Sequence, residues 1–126
     1  MTLLELLLAA LAGGVGACLR LLVDDVSRRR LSGRYPWGIT IVNVTGSLAL
    51  GFVTGLALAT VVPEGFRLIV GSGLLGGYTT FSTASIDTVR LVQARRYRAA
   101  FANGFGQLVA CVTASAIGLG LASLVR

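Results

Sequence analysis

The chain contains no histidine and no lysine, and only two cysteines, Cys18 and Cys111. That leaves neither a CxxC pair nor a His/Cys cluster of metal-ligand spacing. Both cysteines fall inside apolar runs, so a structural disulfide is not expected. Charged residues are 13% of the chain, about half the share of an ordinary globular protein, and aromatic residues 7%. With so few rings there is no basic stripe interleaved with stacking aromatics, which argues against nucleic-acid binding despite a net charge of +6. No acidic residue stands alone at the centre of an apolar run, so the proton-coupled carboxylate of a small multidrug exporter is missing. Neither a nucleophile–base pair nor a phosphate-binding loop occurs, and nothing points to an enzyme.

Apolar residues are abundant instead. They make up 55% of 126 residues, and mean hydropathy is +0.84. A soluble domain of this size could not hide that much apolar surface in one core. The chain reads as an all-α integral membrane protein, a single four-helix transmembrane domain over residues 1–126. The spans are expected at about 3–23, 37–62, 66–92 and 99–125, each near the ~20 residues a bilayer requires. A signal peptide is the alternative for the first, but no arginine precedes it and no A-x-A site follows it. Pro36 and Pro63 bracket the second span, as suits helix boundaries.

All eleven basic residues are arginine. Arg20, Arg28, Arg29, Arg30 and Arg34 flank the first loop, and Arg90, Arg95, Arg96 and Arg98 flank the third. Arg67 and Arg126 alone mark the other side, so the positive-inside rule places both termini outside and the Arg-rich loops in the cytoplasm.

Small residues recur every fourth position, as helix packing in lipid requires. They form the series Ala102, Gly106, Ala110, Ala114, Gly118 and Ala122, with Ser47, Gly51 and Gly55 on the second span and Ala9, Gly13 and Ala17 on the first. Polar stripes lie beside them. Asn103, Gln107, Cys111 and Ser115 share one face, as do Thr40, Asn43 and Ser47. Such stripes serve either interhelical hydrogen bonding or the lining of a pore whose amides and hydroxyls suit an anion. Gly76-Gly77-Tyr78-Thr79-Thr80 is poor helix near mid-span, so the third helix is expected to break there. An unwound turn exposes carbonyls to a hard cation and N–H groups to an anion, whereas a simple glycine kink does neither. Asp87 and Arg90 are spaced to pair, and Arg20 is placed to snorkel.

Gly13-Gly14-Val15-Gly16-Ala17-Cys18-Leu19-Arg20 resembles the glycine-rich first helix of the Fluc (CrcB) fluoride channels. Val42-Asn43-Val44-Thr45-Gly46-Ser47 with Leu50-Gly51 resembles their second-helix motif. Gly73-Leu74-Leu75-Gly76-Gly77-Tyr78-Thr79-Thr80-Phe81-Ser82-Thr83 resembles their signature GxxGGxTTFSTF. The resemblance runs through all four spans. It implies a passive fluoride channel in the cell (plasma or inner) membrane, built as an antiparallel, dual-topology dimer around a structural sodium ion that is not transported. It places that Na+ on the backbone carbonyls of Gly76 and Thr79. The pore lining it implies is Asn43 as an amide donor and Phe81 through its ring edge. Ser82 and Thr83 supply hydroxyls or helix contacts, and Gln107 and Cys111 stand at the family's polar fourth-helix positions.

Two positions depart from the pattern. The family's second aromatic is Ala84 here, and its fourth-helix serine is Cys111, a weaker donor. Together with the nine-to-two arginine split, they raise a heterodimer with an oppositely oriented paralogue, in which this chain is a pore-deficient subunit. A small drug or cation exporter is the alternative of another class.

Overall fold

The computed structural model describes residues 1–31 and 33–125. Arg126, counted above on the arginine-poor side, lies outside the described residues. All regular structure among those residues is helical.

Helix α1, Leu3–Arg30, begins on a reciprocal capping box. Thr2 Oγ1 accepts from the Glu5 N–H at 3.2 Å, and Glu5 Oε2 accepts from the Thr2 N–H at 2.7 Å. The helix runs a turn and more past the expected end at residue 23. Two i,i+4 ion pairs, Asp24–Arg28 and Asp25–Arg29, each at 3.0 Å, support that extension. Arg28, Arg29 and Arg30 then sit in the last turn, where cations complement the helix dipole.

Helix α2, Trp37–Leu58, ends four residues short of expectation, because Ala59 leaves the helix and Thr60 turns the chain at φ 58°. Tyr35 and Trp37 meet ring to ring at 4.8 Å at its start, beside the arginine-rich loop.

The third span is broken, as expected, and the break lies later than the glycines. Helix α3 covers residues 64–78, π-wound over Arg67–Leu75 and α-helical over Gly76–Tyr78. Thr79 and Thr80 are extended, at ψ 159° and ψ 123°, and helix α4 restarts over Phe81–Gln93. Gly76 and Gly77 are therefore helical. A Cβ on Gly77 would collide with the Gly13 carbonyl of α1, and one on Gly73 with the Ala9 carbonyl. The glycines admit a neighbouring backbone, and the β-branched threonines leave the helix.

Helix α5, Tyr97–Val125, contains a π-wound turn over Ala102–Gly106. It packs mainly on α2. Cβ atoms on Gly51 and Gly118 would strike the Ser115 and Leu48 carbonyls, so the two backbones approach closely. Only the second half of its small-residue series is used: Ala114, Gly118 and Ala122 are buried, while Ala102 and Gly106 are exposed.

Helices α1, α2 and α5 are each long and apolar enough to cross a membrane. Large apolar side chains such as Leu3, Leu11, Leu22, Leu108 and Val112 face outward, which suits lipid. The chain is a multi-pass membrane protein.

Candidate functional site: a buried amide chain at a helix break

Two residues out of helical register leave backbone groups that neither half-helix can serve, and at membrane depth each needs a partner. Asn43 of α2 supplies both partners for Thr80. Its Oδ1 accepts from the Thr80 N–H at 2.8 Å, and its Nδ2 donates to the Thr80 carbonyl at 2.9 Å. A side-chain amide thus pairs with one residue's backbone as a neighbouring strand would. Thr80 also caps α4, its Oγ1 accepting from the Thr83 N–H at 3.3 Å. The Thr79 carbonyl accepts from Arg20 Nη1 at 3.1 Å. Arg20 therefore reaches inward to the break and does not snorkel to the interface. Gly46 lets the break approach α2, since a Cβ there would meet the Thr79 methyl.

From Asn43 the hydrogen bonds continue onto α5. Asn43 Nδ2 donates to Gln107 Oε1 at 2.6 Å. Gln107 Nε2 donates to Thr40 Oγ1 and to Asn103 Oδ1, both at 3.2 Å. Asn103 Nδ2 donates to Thr88 Oγ1 at 2.9 Å and to the Ala84 carbonyl at 3.2 Å. The three amides are 7%, 6% and 1% exposed, low enough that every polar atom needs a partner. Both ends fix the direction of the chain: the Thr80 N–H can only donate, and the Ala84 carbonyl can only accept.

These residues form one wall of a groove of about 310 Å³ between α2, the break, α4 and α5. Asn43, Thr79, Phe81, Gln107 and Cys111 all line it, together with Ala84, where the resemblance expects a ring. Phe81 is 89% exposed. The Ser47 hydroxyl and the Cys111 thiol line the same groove and make no hydrogen bond among the described residues. Ser82 and Thr83 do not line it. They sit in the capping turn of α4, with oxygens 3.3 and 3.2 Å from Thr80 Oγ1, because capping turns them toward the break. Gly76 is exposed and lies outside the groove.

Spacing pointed to Asn103 and Thr40 through the polar stripes, and both belong to the network. Thr88 and the Ala84 carbonyl carried no signal. At the arginine-rich end, Asp87 Oδ1 lies 3.5 Å from Arg90 Nη1, as their spacing anticipated. Asp87 Oδ2 is buried without a partner among the described residues.

Residues 7–119 match the family model described as CrcB-like protein, Camphor Resistance (CrcB). A relative from Leifsonia xyli subsp. xyli, named Fluoride-specific ion channel FluC 1, is 50% identical over 124 residues, covering 98% of this chain and 90% of the relative. Fluoride-specific ion channel FluC 2 of Mycobacterium bovis is 41% identical over 114 residues, covering 90% and 87%. The protein of that name from Cutibacterium acnes is 38% identical over 123 residues, covering 97% and 100%. The relatives are channels, not enzymes. With more than half its length under the family model and half its residues shared with one relative, the chain belongs to the CrcB-like family.

Proposed function

We propose that this chain forms a fluoride-specific channel that lets the anion leave the cell passively. The observation that carries the reading is the 50% identity, over nearly the full chain, to a relative named as such a channel. The groove supports it chemically. Its wall offers a free hydroxyl, a thiol, an exposed ring and amides, with no carboxylate, and such a lining favours an anion over a cation. Fluoride enters as neutral HF and ionises in a near-neutral cytoplasm. An inside-negative potential then drives the anion outward by about 2.3 kcal/mol per 100 mV, so a selective pore is sufficient.

The break also fits a structural sodium ion. Because the Thr80 N–H bonds to Asn43, the Gly76 carbonyl is released from its usual i+4 donor, and Gly76 is exposed. Carbonyl oxygens suit a hard cation. Gly76 and Thr79 would hold the ion, which would supply a fixed positive charge there. The Thr79 oxygen is shared with Arg20, and two carbonyls are an incomplete shell, which favours a second chain supplying the rest. An antiparallel dimer, with a second copy or with a paralogue, meets that need and covers Phe81.

Ala84 and the arginine bias favour the paralogue as a second reading. Ala84 gives the groove no second ring edge, and nine arginines against two suit one orientation. In cells, deletion is expected to cause fluoride hypersensitivity without drug hypersensitivity. Drug hypersensitivity alone would favour the exporter. Rescue of the deletion only when a second four-span protein of reversed arginine bias is present would establish the heterodimer.

A further inference from the structure

The amide chain is saturated. Asn43 Nδ2, Gln107 Nε2 and Asn103 Nδ2 carry two hydrogens each, and each nitrogen already serves two acceptors. An anion entering the groove therefore meets no free amide N–H, although Asn43 and Gln107 are both in its wall. The Ser47 hydroxyl and Cys111 thiol are free to donate, but for an amide to serve the anion one internal acceptor has to give way.

The candidates are unequal. The Thr80 carbonyl is backbone, fixed by the cap of α4 and by the paired bonds to Asn43. The Asn103 amide cannot turn over, because its Nδ2 faces the Ala84 carbonyl, which only accepts. Nor can Gln107 turn over in place, since its Oε1 would then face Asn103 Oδ1, oxygen against oxygen. Gln107 can only swing as a whole, and its side-chain torsions have other staggered wells to receive it. Its swing frees the Asn43 N–H that points at Gln107 and leaves the Asn43–Thr80 pairing intact.

We propose that Gln107 is a displaceable latch: its amide oxygen occupies, on Asn43 Nδ2, the place that a permeating anion takes, and anion entry requires the Gln107 side chain to swing out. Gln107 is thus a positioning and selectivity residue, not merely a strut between helices. A weak anion that cannot outcompete an amide oxygen leaves the latch closed, whereas a small, strongly accepting anion opens it. The proposal rests on the fluoride-channel reading above.

The test compares the full chain with Gln107→Met, similar in length but lacking the acceptor, both reconstituted in liposomes with any partner the chain needs. The swing breaks the bonds of Gln107 to Asn43, Thr40 and Asn103, and at ~1 kcal/mol net for even one of them the fluoride concentration giving half-maximal efflux is expected to fall at least about fivefold in the variant. An unchanged or higher half-maximal concentration overturns the latch. No fluoride efflux from either protein overturns the channel reading itself. If the variant does not fold, side-chain amide NMR of the unaltered protein decides. Added fluoride should move the Gln107 Nε2 resonances and leave the Thr80 backbone N–H in place. A shifted Thr80 N–H with an unmoved Gln107 would refute the latch.

Discussion

Replacing Asn43 by Leu keeps the volume of the side chain and removes the amide that pairs with the break. Three buried groups lose their partner: the Thr80 N–H, the Thr80 carbonyl and Gln107 Oε1. Interhelical hydrogen bonds measured in a membrane bundle average about 0.6 kcal/mol, which gives ~2 kcal/mol for three. At about 2 kcal/mol for each buried group left unsatisfied, the total is ~6 kcal/mol. Even the lower figure is a large part of the ~5–15 kcal/mol by which folded proteins are stable. Most of the loss is local to Thr79–Thr80, so amide hydrogen exchange at Thr80 is the appropriate assay. Exchange there is expected to quicken by about thirtyfold at the lower figure. Asn43→Asp keeps an oxygen for the Thr80 N–H and should stay closer to the parent. Exchange in Asn43→Leu as slow as in the parent would show that α2 does not hold the break.

Arg20→Met removes the donor to the Thr79 carbonyl, a charge-assisted bond worth about 1.5–3 kcal/mol, and should lower thermal stability in detergent measurably. Arg20→Lys should not fully restore it, since a point ammonium lacks the reach of the guanidinium fork. Gly77→Ala drives a methyl into the Gly13 carbonyl, whereas Gly14→Ala meets nothing within 4 Å; only the former should reduce the yield of folded protein on size-exclusion chromatography. Removing sodium should lower the unfolding temperature if the Gly76 and Thr79 carbonyls hold the ion, with potassium failing to replace it.

The coarse architecture was legible because a bilayer imposes simple rules. Apolar runs bounded by Pro36, Pro63 and clusters of arginine announced helices of membrane-crossing length, which α1, α2 and α5 have, and Thr79–Thr80 beside glycines announced poor helix. The break falls within the expected Gly76–Thr80 stretch, at its end rather than at its glycines, because glycine has two uses. Gly73 and Gly77 serve close approach to α1, which no local pattern announces, so the chain leaves the helix at the β-branched residues that follow. The extension of α1 to Arg30 was hidden by reading only its apolar stretch, although the Asp24–Arg28 and Asp25–Arg29 spacings announced it. At the site, the stripes Thr40-Asn43 and Asn103-Gln107 each marked a polar face. Their union depends on α2 and α5 meeting across 64 residues of sequence, which spacing along one helix does not reveal. Ser82 and Thr83 show the converse: hydroxyls beside a break are claimed by its cap before they can face a groove.

Fluoride efflux from liposomes carrying only this purified chain, with sodium present and then removed, tests the central claim most directly. Fast, fluoride-selective efflux that collapses without sodium is the expected result, and it would show that Ala84 is tolerated and that the chain is self-sufficient. Efflux restored only by adding an oppositely oriented paralogue would keep the channel and make this chain one half of it. Well-folded protein that passes no fluoride in either setting would contradict the account.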